Sequence, residues 1–326
     1  MLFNPGIRVL CAVLTLGMLA GARPASAQEY PQRPVRLIVP FTAGGGTDVL
    51  GRILAKNLSM LLAQPVIVEN VAGASGTVGT AQAARAAADG YTLLLGASVT
   101  NAIAPALYPQ LRYEPVSDFV PIAQLATFGN PIVVNPALPV RTIADLTAWA
   151  RQAKNGGSYG TWGVGSAGHL AMEMVNAKTG AALTHIPYKG AVLALNDVLS
   201  GQLPVAVTDP LVVLPFYKAG KVKVIAVTGA RRSASMPEVP TLAEQGVALS
   251  TDSWYAVFAP AKTPASVQQK LQVAMHQVMA TAEFQKTLGD LGLQPSTLST
   301  AEFDSVRRQD LATWSRLVVL SGAKAD

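Results

Sequence analysis

The chain has 326 residues, of which 50% are hydrophobic and 13% are charged, and its formal net charge is +6. The positive residues are scattered along the sequence, which argues against a nucleic-acid-binding surface. The single cysteine, Cys11, lies near the N-terminus. We therefore expect a mature protein without disulfides, thiolate catalysis or cysteine-ligated metals.

The first 27 residues have the pattern of a secretory signal peptide. Arg8 precedes an apolar run over residues 9–22, and the segment 25–27, Ala-Ser-Ala, matches the small-x-small cleavage pattern. The apolar run is short for a membrane anchor. The sequence thus predicts export and a mature chain that begins at Gln28. The roughly 300 residues that remain are enough for two domains.

Strands and helices alternate through the first part of the mature chain. Predicted strands lie at 35–39, 66–68 and 91–95, and predicted helices lie at 49–62 and 77–88. This is the βαβ rhythm of an α/β fold. Thr47 or Asp48 is expected to cap the first helix, whose apolar residues recur at helical spacing.

A second α/β unit follows a long extended run at 122–134, which is interrupted at 129–131 and is typical of a crossing between domains. Strands are predicted at 158–160, 183–186, 204–207 and 222–227, and helices at 142–153, 170–178 and 192–199. Thr142 is expected to cap the first of these helices.

The chain then returns to the first unit. A predicted strand at 253–259 can carry it back, and helices are predicted at 264–282, 283–291 and 301–320. The simplest solution is two doubly wound α/β domains joined by two crossings, with a ligand cleft between them. We predict one domain from residues 28–126 plus 252–326, and the other from residues 127–251.

A glycine turn is the clearest binding signal. Residues 37–48 read LIVPFTAGGGTD, which predicts a strand, a turn and the start of a helix. The glycines at 44–46 let backbone N–H groups approach a ligand, and the helix adds the positive end of its dipole. Phe41 is positioned to wall a pocket. The segment predicts an anion-binding cradle without catalytic side chains.

Three further turns stand where predicted strands lead towards helices, at 71–79, 96–101 and 163–169. Ligands of open α/β sheets bind at the carboxyl ends of strands, so these turns are expected to converge. A Walker loop is excluded because no Gly-Lys pair precedes Ser or Thr. A dinucleotide fingerprint is disfavoured because the glycines at 73, 76 and 79 lack the G-x-G opening.

Catalytic and metal-binding patterns are weak. Ser166, Asp209 and His276 follow the Ser, Asp, His order of an α/β-hydrolase, but Val164 stands where the nucleophile motif needs glycine. The three histidines are widely spaced and no metal-ligand motif accompanies them. His169 is expected to bond locally at a helix start, with direct ligand contact as the alternative.

Two other positions remain open to alternatives. Asp209 either caps the helix that follows or accepts a hydrogen bond from a ligand amine or a water molecule. The turn at 187–190 has two interpretations. Either Tyr188 forms part of the wall of the cleft, or the turn is a surface turn with a solvated Lys189.

Several ordered motifs together resemble the Bug family of periplasmic solute-binding receptors, which serve tripartite tricarboxylate transporters. They are VPFTAGGGTD at 39–48, VEN at 68–70 with GASG at 73–76, ADGYTL at 88–93, HIPYKG at 185–190, AGKVK at 219–223, VPT at 239–241 with Glu244, and APAKTP at 259–264. The matches run in order over nearly the whole mature chain.

This resemblance implies a two-domain, type II periplasmic binding protein of the Venus flytrap kind. It implies a monomer that binds a small carboxylate-containing solute, which is a di- or tricarboxylate, an amino acid or an aromatic acid, and delivers it to membrane permease subunits. No cofactor, metal, catalytic residue or nucleic-acid partner is expected. Backbone amides and small side chains are expected to hold the solute. The implied ligand-binding residues are Phe41, Gly44, Gly45, Gly46, Thr47, Gly73, Ala74, Ser75, Ser98, Thr100, Asn101, Ser166, Ala167, Gly168 and Asp209.

Two other functions remain open from the sequence. One is a secreted serine esterase or amidase that uses Ser166, and the other is a receptor that acts in signalling. Trp162 stands where the resemblance leads us to expect a smaller residue. It either reshapes the pocket for a bulkier or aromatic acid or packs beneath the turn.

Overall fold

The computed structural model describes residues 30–153 and 157–324. Residues 33–326 form one compact unit, which contains both sheets. The predicted signal peptide, Cys11 and the mature start at Gln28 lie outside the described residues. Within the described ranges, no helix combines the length and apolar character needed to cross a membrane.

The strands alternate with helices along most of the chain, as the sequence predicts. The strands are β1 (Val35–Val39), β2 (Val66–Asn70), β3 (Thr92–Ala97), β4 (Phe119–Phe128), β5 (Pro131–Val134), β6 (Ser158–Thr161), β7 (Thr184–Pro187), β8 (Val205–Val207), β9 (Lys223–Val227), β10 (Ser253–Pro260) and β11 (Gln294–Pro295).

The helices cover the faces of the sheets. They are α1 (Gly46–Leu62), α2 (Thr77–Ala84), α3 (Ala104–Leu107), α4 (Ile143–Gln152), α5 (Ala167–Thr179), α6 (Ala191–Ser200), α7 (Pro210–Lys218), α8 (Ala265–Ala280), α9 (Ala282–Asp290) and α10 (Thr300–Ser321). A π-helical turn over Val99–Ile103 leads into α3.

Two mixed sheets with helices packed on them confirm the predicted fold class of two α/β units. The first has the order β11-β4-β10-β3-β1-β2 and the second β7-β6-β8-β5-β9. In the first sheet β1 runs parallel to β2 and β3, whereas β10 is antiparallel to both β3 and β4. The return strand β10 thus joins the chain's C-terminal part to a sheet begun by its N-terminal part.

The strand directions place several loops at one edge of each sheet. Tyr255 near the start of β10 pairs with Ala97 at the end of β3, and Ser253 pairs with Phe128 at the end of β4. In the second sheet, β6 runs parallel to β7 and β8, so the loops after these strands share an edge. The predicted convergence of turns follows from these directions.

Three helix ends differ from the sequence prediction by three residues or more. Helix α5 begins at Ala167, three residues before the predicted start at Leu170. Helix α1 begins at Gly46, and Gly45 occupies the N-cap, so neither Thr47 nor Asp48 is the cap residue. Helix α2 ends at Ala84, four residues before the predicted end at Ala88. The alanine-rich pattern does not mark an end there, and a turn at Asp89, whose Oδ1 accepts from Tyr91 N at 3.0 Å, follows instead.

Other local predictions are confirmed. Thr142 caps α4 in a capping box with Asp145. The C-terminal helix α10 returns to the first sheet, where Phe303 packs edge-on against Trp254 with ring centroids 5.2 Å apart. Trp254 Nε1 donates to Asp310 Oδ2 at 2.7 Å. These contacts anchor the chain's C-terminal end to the first sheet.

Candidate functional site

A cavity of about 350 Å³ lies between elements of the first and second sheets. The first sheet contributes the glycine turn and parts of β3, β4 and β10, and the second contributes the three loops that follow β6, β7 and β8. We call it the main cavity. Its lining is Phe41, Thr42, Ala43, Gly44, Gly45, Gly46, Thr47, Ala97, Ser98, Val99, Phe128, Trp162, Ala167, Lys189, Gly190, Ala191, Val192, Leu193, Asp209, Ser253 and Tyr255.

The glycine turn forms the predicted cradle, which we define as Gly44–Thr47. Gly44 has φ +78°, a conformation that favours glycine, and its N–H donates to Asp48 Oδ2 at 2.9 Å. Gly45 N donates to Thr42 O at 3.3 Å. Gly46 and Thr47 stand in the first turn of α1, where N–H groups lack helical partners. The N–H groups of Gly46 and Thr47, together with the helix dipole, favour an anion.

The Asp48 side chain fixes the conformation of the cradle through a hydrogen bond to its backbone. It is 3% exposed, and its Oδ2 also accepts from Arg52 Nε at 2.9 Å. Burial would raise the pKa of Asp48, but the hydrogen bonds from Arg52 and Gly44 outweigh it, and the pKa lies below its usual value. The carboxylate is therefore a structural group that orients the turn.

Two more helix starts reach the main cavity from the second sheet. Ala167 begins α5, whose N-cap Ser166 accepts through Oγ from His169 N at 3.1 Å. Residues 191–193 begin α6, which follows Gly190 without a side-chain cap. Like α1, these helices direct the positive ends of their dipoles towards one space. The cavity is thus suited to negative charge without an arginine in its lining.

A fourth helix start, that of α7, carries a negatively charged side chain, Asp209, beside the cavity. Asp209 is the N-cap of α7 and accepts through Oδ1 from Val212 N at 3.3 Å. Its half-buried carboxyl also lines the main cavity. Burial raises the pKa of Asp209 to about 6, against the lowering effect of hydrogen bonds from Val212 and Leu211. The structure confirms the capping role, and contact with a ligand stays a prediction.

Aromatic residues make much of the remaining wall. Phe128 and Tyr255 stack with ring centroids 4.7 Å apart. Tyr255 is 4% exposed, and burial together with the Asp209 charge raises its pKa well above the usual value, although a hydrogen bond with Thr47 opposes this. Phe41 and Trp162 line the same space. The wall can therefore contact an apolar ligand body.

A second cavity, the side cavity, adjoins the first and shares Phe41, Thr42, Trp162 and Lys189 with it. Its lining includes the turn at 73–76, Tyr108, the turn at 163–164 and Tyr188. Ser75 Oγ donates to Val164 O at 3.0 Å and so links the turns of the two sheets. Tyr188 walls this cavity while its hydroxyl donates to Asp197 Oδ2 at 2.6 Å.

The structure brings most of the predicted binding residues to these two cavities. Phe41, the cradle, Ser98, Ala167 and Asp209 line the main cavity, and residues 73–75 line the side cavity.

Four predicted residues lie behind the lining. Among the described residues, Thr100, Asn101, Ser166 and Gly168 line neither cavity. Thr100 Oγ1 donates to Ala97 O and Asn101 Oδ1, so it braces the turn. Their role in ligand contact stays a prediction. A β-carbon on Gly168 would lie 3.0 Å from Trp162, which therefore both packs on α5 and faces the cavity.

The sequence analysis did not identify Phe128, Ser253 and Tyr255 as residues of the site. It predicted the helix at 192–199 but did not assign the start of that helix to the site. The first three lie on β4 and β10, whose pairing across long chain separations no local motif reveals. The start of α6 could have been found, because Gly190 follows β7 and precedes a helix just as Gly45 follows β1.

Two of the three histidines, His169 and His185, form a structural stack. The rings of His169 and His185 lie parallel with centroids 4.0 Å apart, and Gly165 N donates to His169 Nδ1 at 3.1 Å, as the local-bond interpretation predicts. Thr161 Oγ1 lies 2.8 Å from His185 Nε2. Burial and the neighbouring His169 lower the pKa of His185 to about 3.

The proposed hydrolase triad is not assembled as a unit. Ser166 is fully buried and caps α5, Asp209 caps α7, and His276 is exposed on α8. Within residues 30–153 and 157–324, no group of three or more His, Cys, Asp or Glu side chains could hold a metal ion.

Comparison with known proteins agrees with this geometry. Protein BugT from Bordetella pertussis is 34% identical over 305 residues, covering 93% of this chain and 94% of BugT. The structure of Rpa4515 from R. palustris with adipate has a TM-score of 0.86 at 32% identity, covering 91% and 99% of the two chains. MatC (Rpa3494) from Rhodopseudomonas palustris with bound malate has a TM-score of 0.83 at 27% identity, covering 89% and 100%.

The family model for the tripartite tricarboxylate transporter family receptor matches residues 50–322. The match covers most of the chain and includes every strand of the two sheets except β1. It agrees with the resemblance carried by the ordered motifs and with the cavity between the sheets. The chain therefore belongs to the tripartite tricarboxylate transporter receptor family, the Bug family of solute-binding proteins.

Proposed function

We propose that this receptor works in the periplasm, holds a small carboxylate in the main cavity and delivers it to the permease subunits of a tripartite tricarboxylate transporter. The observation that carries the proposal is the convergence of the starts of α1, α5 and α6 on one cavity. Three helix dipoles and free backbone N–H groups favour a carboxylate without a buried arginine. Adipate and malate in two relatives support the same ligand class.

Closure of two lobes would hold the solute. We propose that residues 28–126 plus 252–326 form one lobe and residues 127–251 the other. The two crossings lie side by side, because Phe128 beside the first crossing pairs with Ser253 beside the second in adjacent strands. Asn130 Nδ2 donates to Ser253 Oγ at 2.8 Å across them. A ligand that contacts both lobes would shift the population towards the closed state.

Calorimetric titration of the purified protein tests the ligand class. The panel is adipate, malate, leucine, phenylalanine and hydrocinnamate, and the primary amide of each one is its matched control. At least one carboxylate should bind, and its amide should bind at least about tenfold more weakly because it loses charge-assisted hydrogen bonds. Absence of binding by every carboxylate at saturating concentration would refute the proposal.

Uptake separates transport from sensing and from catalysis. A strain that lacks the protein should lose uptake of the labelled ligand, and the restored gene should return it. Loss of gene induction with unchanged uptake would instead favour a signalling receptor. Turnover of ester or amide substrates by the purified protein that disappears in Ser166→Ala would favour the esterase, whose serine is fully buried here.

A further inference from the structure

A carboxylate stands beside the anion cradle. The position that a β-carbon on Gly46 would occupy lies only 2.7 Å from Asp209 Oδ1. An anion held by the first N–H groups of α1 would therefore lie a few ångströms from a second negative group. Such a pair repels unless a positive or donating group lies between them.

Asp209 does not fit a purely anionic ligand. Its carboxylate accepts hydrogen bonds from the backbone N–H groups of Val212 and Leu211, and two carboxylate oxygens with about four acceptor sites leave room for a further donor. The Asp48 carboxylate on α1 is already held by Gly44 and Arg52. Tyr255 on β10 is a neutral phenol, and Lys189 is exposed at the border of the two cavities. Lys189 and Asp209 are the charged side chains in the main-cavity lining.

Apart from Lys189 and the hydroxyl side chains of Thr42, Ser98 and Ser253, most of the remaining wall is apolar. Phe41, Phe128, Trp162 and Tyr255 contribute rings, and Val99 and Leu193 contribute aliphatic groups. A ligand that fits this lining has one carboxylate for the helix starts and an apolar body for the wall. A hydrogen-bond donor on the ligand, next to the ligand's carboxylate, would lie against the Asp209 carboxylate.

We propose that the main cavity selects a zwitterion, an α-amino acid with an apolar side chain, whose ammonium group binds Asp209 while its carboxylate occupies the cradle. This inference rests on the proposed function and narrows its ligand class. The spacing fits because the two charged groups of an α-amino acid are attached to one carbon, and the two binding groups of the protein are adjacent. At neutral pH Asp209 is ionised and can accept from the ammonium group.

Matched ligands test the inference by calorimetry at about pH 7.5, where the amino group is charged. One set is phenylalanine, phenyllactate, hydrocinnamate and phenethylamine, which share a ring and differ in the ammonium, hydroxyl or carboxylate group. The second set is leucine, leucic acid, isocaproate and isoamylamine. Within the better-binding set, the amino acid should bind at least about tenfold more tightly than the deaminated acid.

Asp209→Asn should reduce that ratio to about twofold or less, because the amide keeps the helix cap and loses the charge. Asp145→Asn is the matched control, since Asp145 is an aspartate in the first turn of α4 and lies outside the cavity lining. It should leave the ratio unchanged. Lowering the pH to about 5 should also reduce the ratio in the wild type alone.

Four results would overturn the inference. The deaminated acid could bind as tightly as the amino acid, the hydroxy acid could match it, or Asp209→Asn could keep the full ratio. Binding of adipate or malate without any binding of either amino acid would also overturn it while leaving the proposed function intact. Absence of binding by every carboxylate would instead refute the proposed function.

Discussion

Asp209 Oδ1 and Gly46 meet so closely that a β-carbon at position 46 would lie 2.7 Å from the carboxylate oxygen. Gly46 begins α1 beside the first sheet, and Asp209 caps α7 beside the second. The same β-carbon would lie 2.8 Å from Leu211 Cβ. The two helix starts can therefore approach this closely only because residue 46 has no side chain.

Gly46→Ala should weaken carboxylate binding by at least about tenfold, because one added methyl group separates the helix starts that would enclose the ligand. Calorimetry with the tightest ligand of the panel measures the change. Alanine also has the better helix propensity, so the free energy of unfolding without ligand should not fall by more than about 1 kcal/mol.

Gly289→Ala is the matched control for that substitution. Gly289 lies in α9, and a β-carbon there would meet nothing within 4 Å. Affinity should be unchanged in this variant. Wild-type affinity in Gly46→Ala would show that the close approach of α1 and α7 is not required for binding.

Ser75→Ala should weaken binding by about twofold to tenfold, because it removes the hydrogen bond to Val164 O that joins the two turns. Ser75 has φ +52°, and the neighbouring Ala74 has φ +43°, so the turn stores backbone strain. The bond and the ligand together are expected to hold the turn in this conformation. Calorimetry with the same ligand checks the effect.

Thr77→Val supplies the control for Ser75→Ala, because Thr77 Oγ1 donates within its own turn, to Ala74 O at 2.9 Å. It should change affinity less than Ser75→Ala does. Equal effects in the two variants would indicate that the integrity of the turn matters and the bond between the sheets does not.

The cradle could be predicted from the sequence because its signals are local. Three glycines between an apolar strand and an amphipathic helix specify both the turn and the exposed N–H groups. The aromatic wall could not be predicted in this way, because Phe128 and Tyr255 meet only after β4 and β10 pair. The alternation of a strand tells which residues share a face but not which distant residue stands beside them.

Asp209 should make stability fall as the pH rises. Its pKa is raised to about 6 in the folded protein, so between about pH 4 and pH 6 the native state binds more protons than the unfolded state. Relative to Asp209→Asn, the wild type should lose about 1–2 kcal/mol of unfolding free energy between pH 4 and pH 7, allowing for partial exposure of the carboxyl. Urea unfolding of both proteins across this range measures the difference. A constant difference would show that burial does not perturb this carboxyl.

His185 should make the stability of the fold fall as the pH falls, which is the opposite of the effect of Asp209. Its pKa is lowered to about 3, so the unfolded state binds more protons below about pH 6.5 and stability is lost as the pH falls from there. His185→Phe keeps a ring in the stack with His169 and Tyr159 and cannot take a proton. Between pH 6.5 and pH 4, the unfolding free energy of the variant should fall by about 1–3 kcal/mol less than that of the wild type, a range that allows for the half-buried ring.

His276→Gln is the control, because it changes an exposed histidine outside the stack. Its unfolding free energy should fall with acid as much as that of the wild type. If urea unfolding gave His185→Phe the same acid dependence as the wild type, protonation of the stacked ring would not be what destabilises the fold.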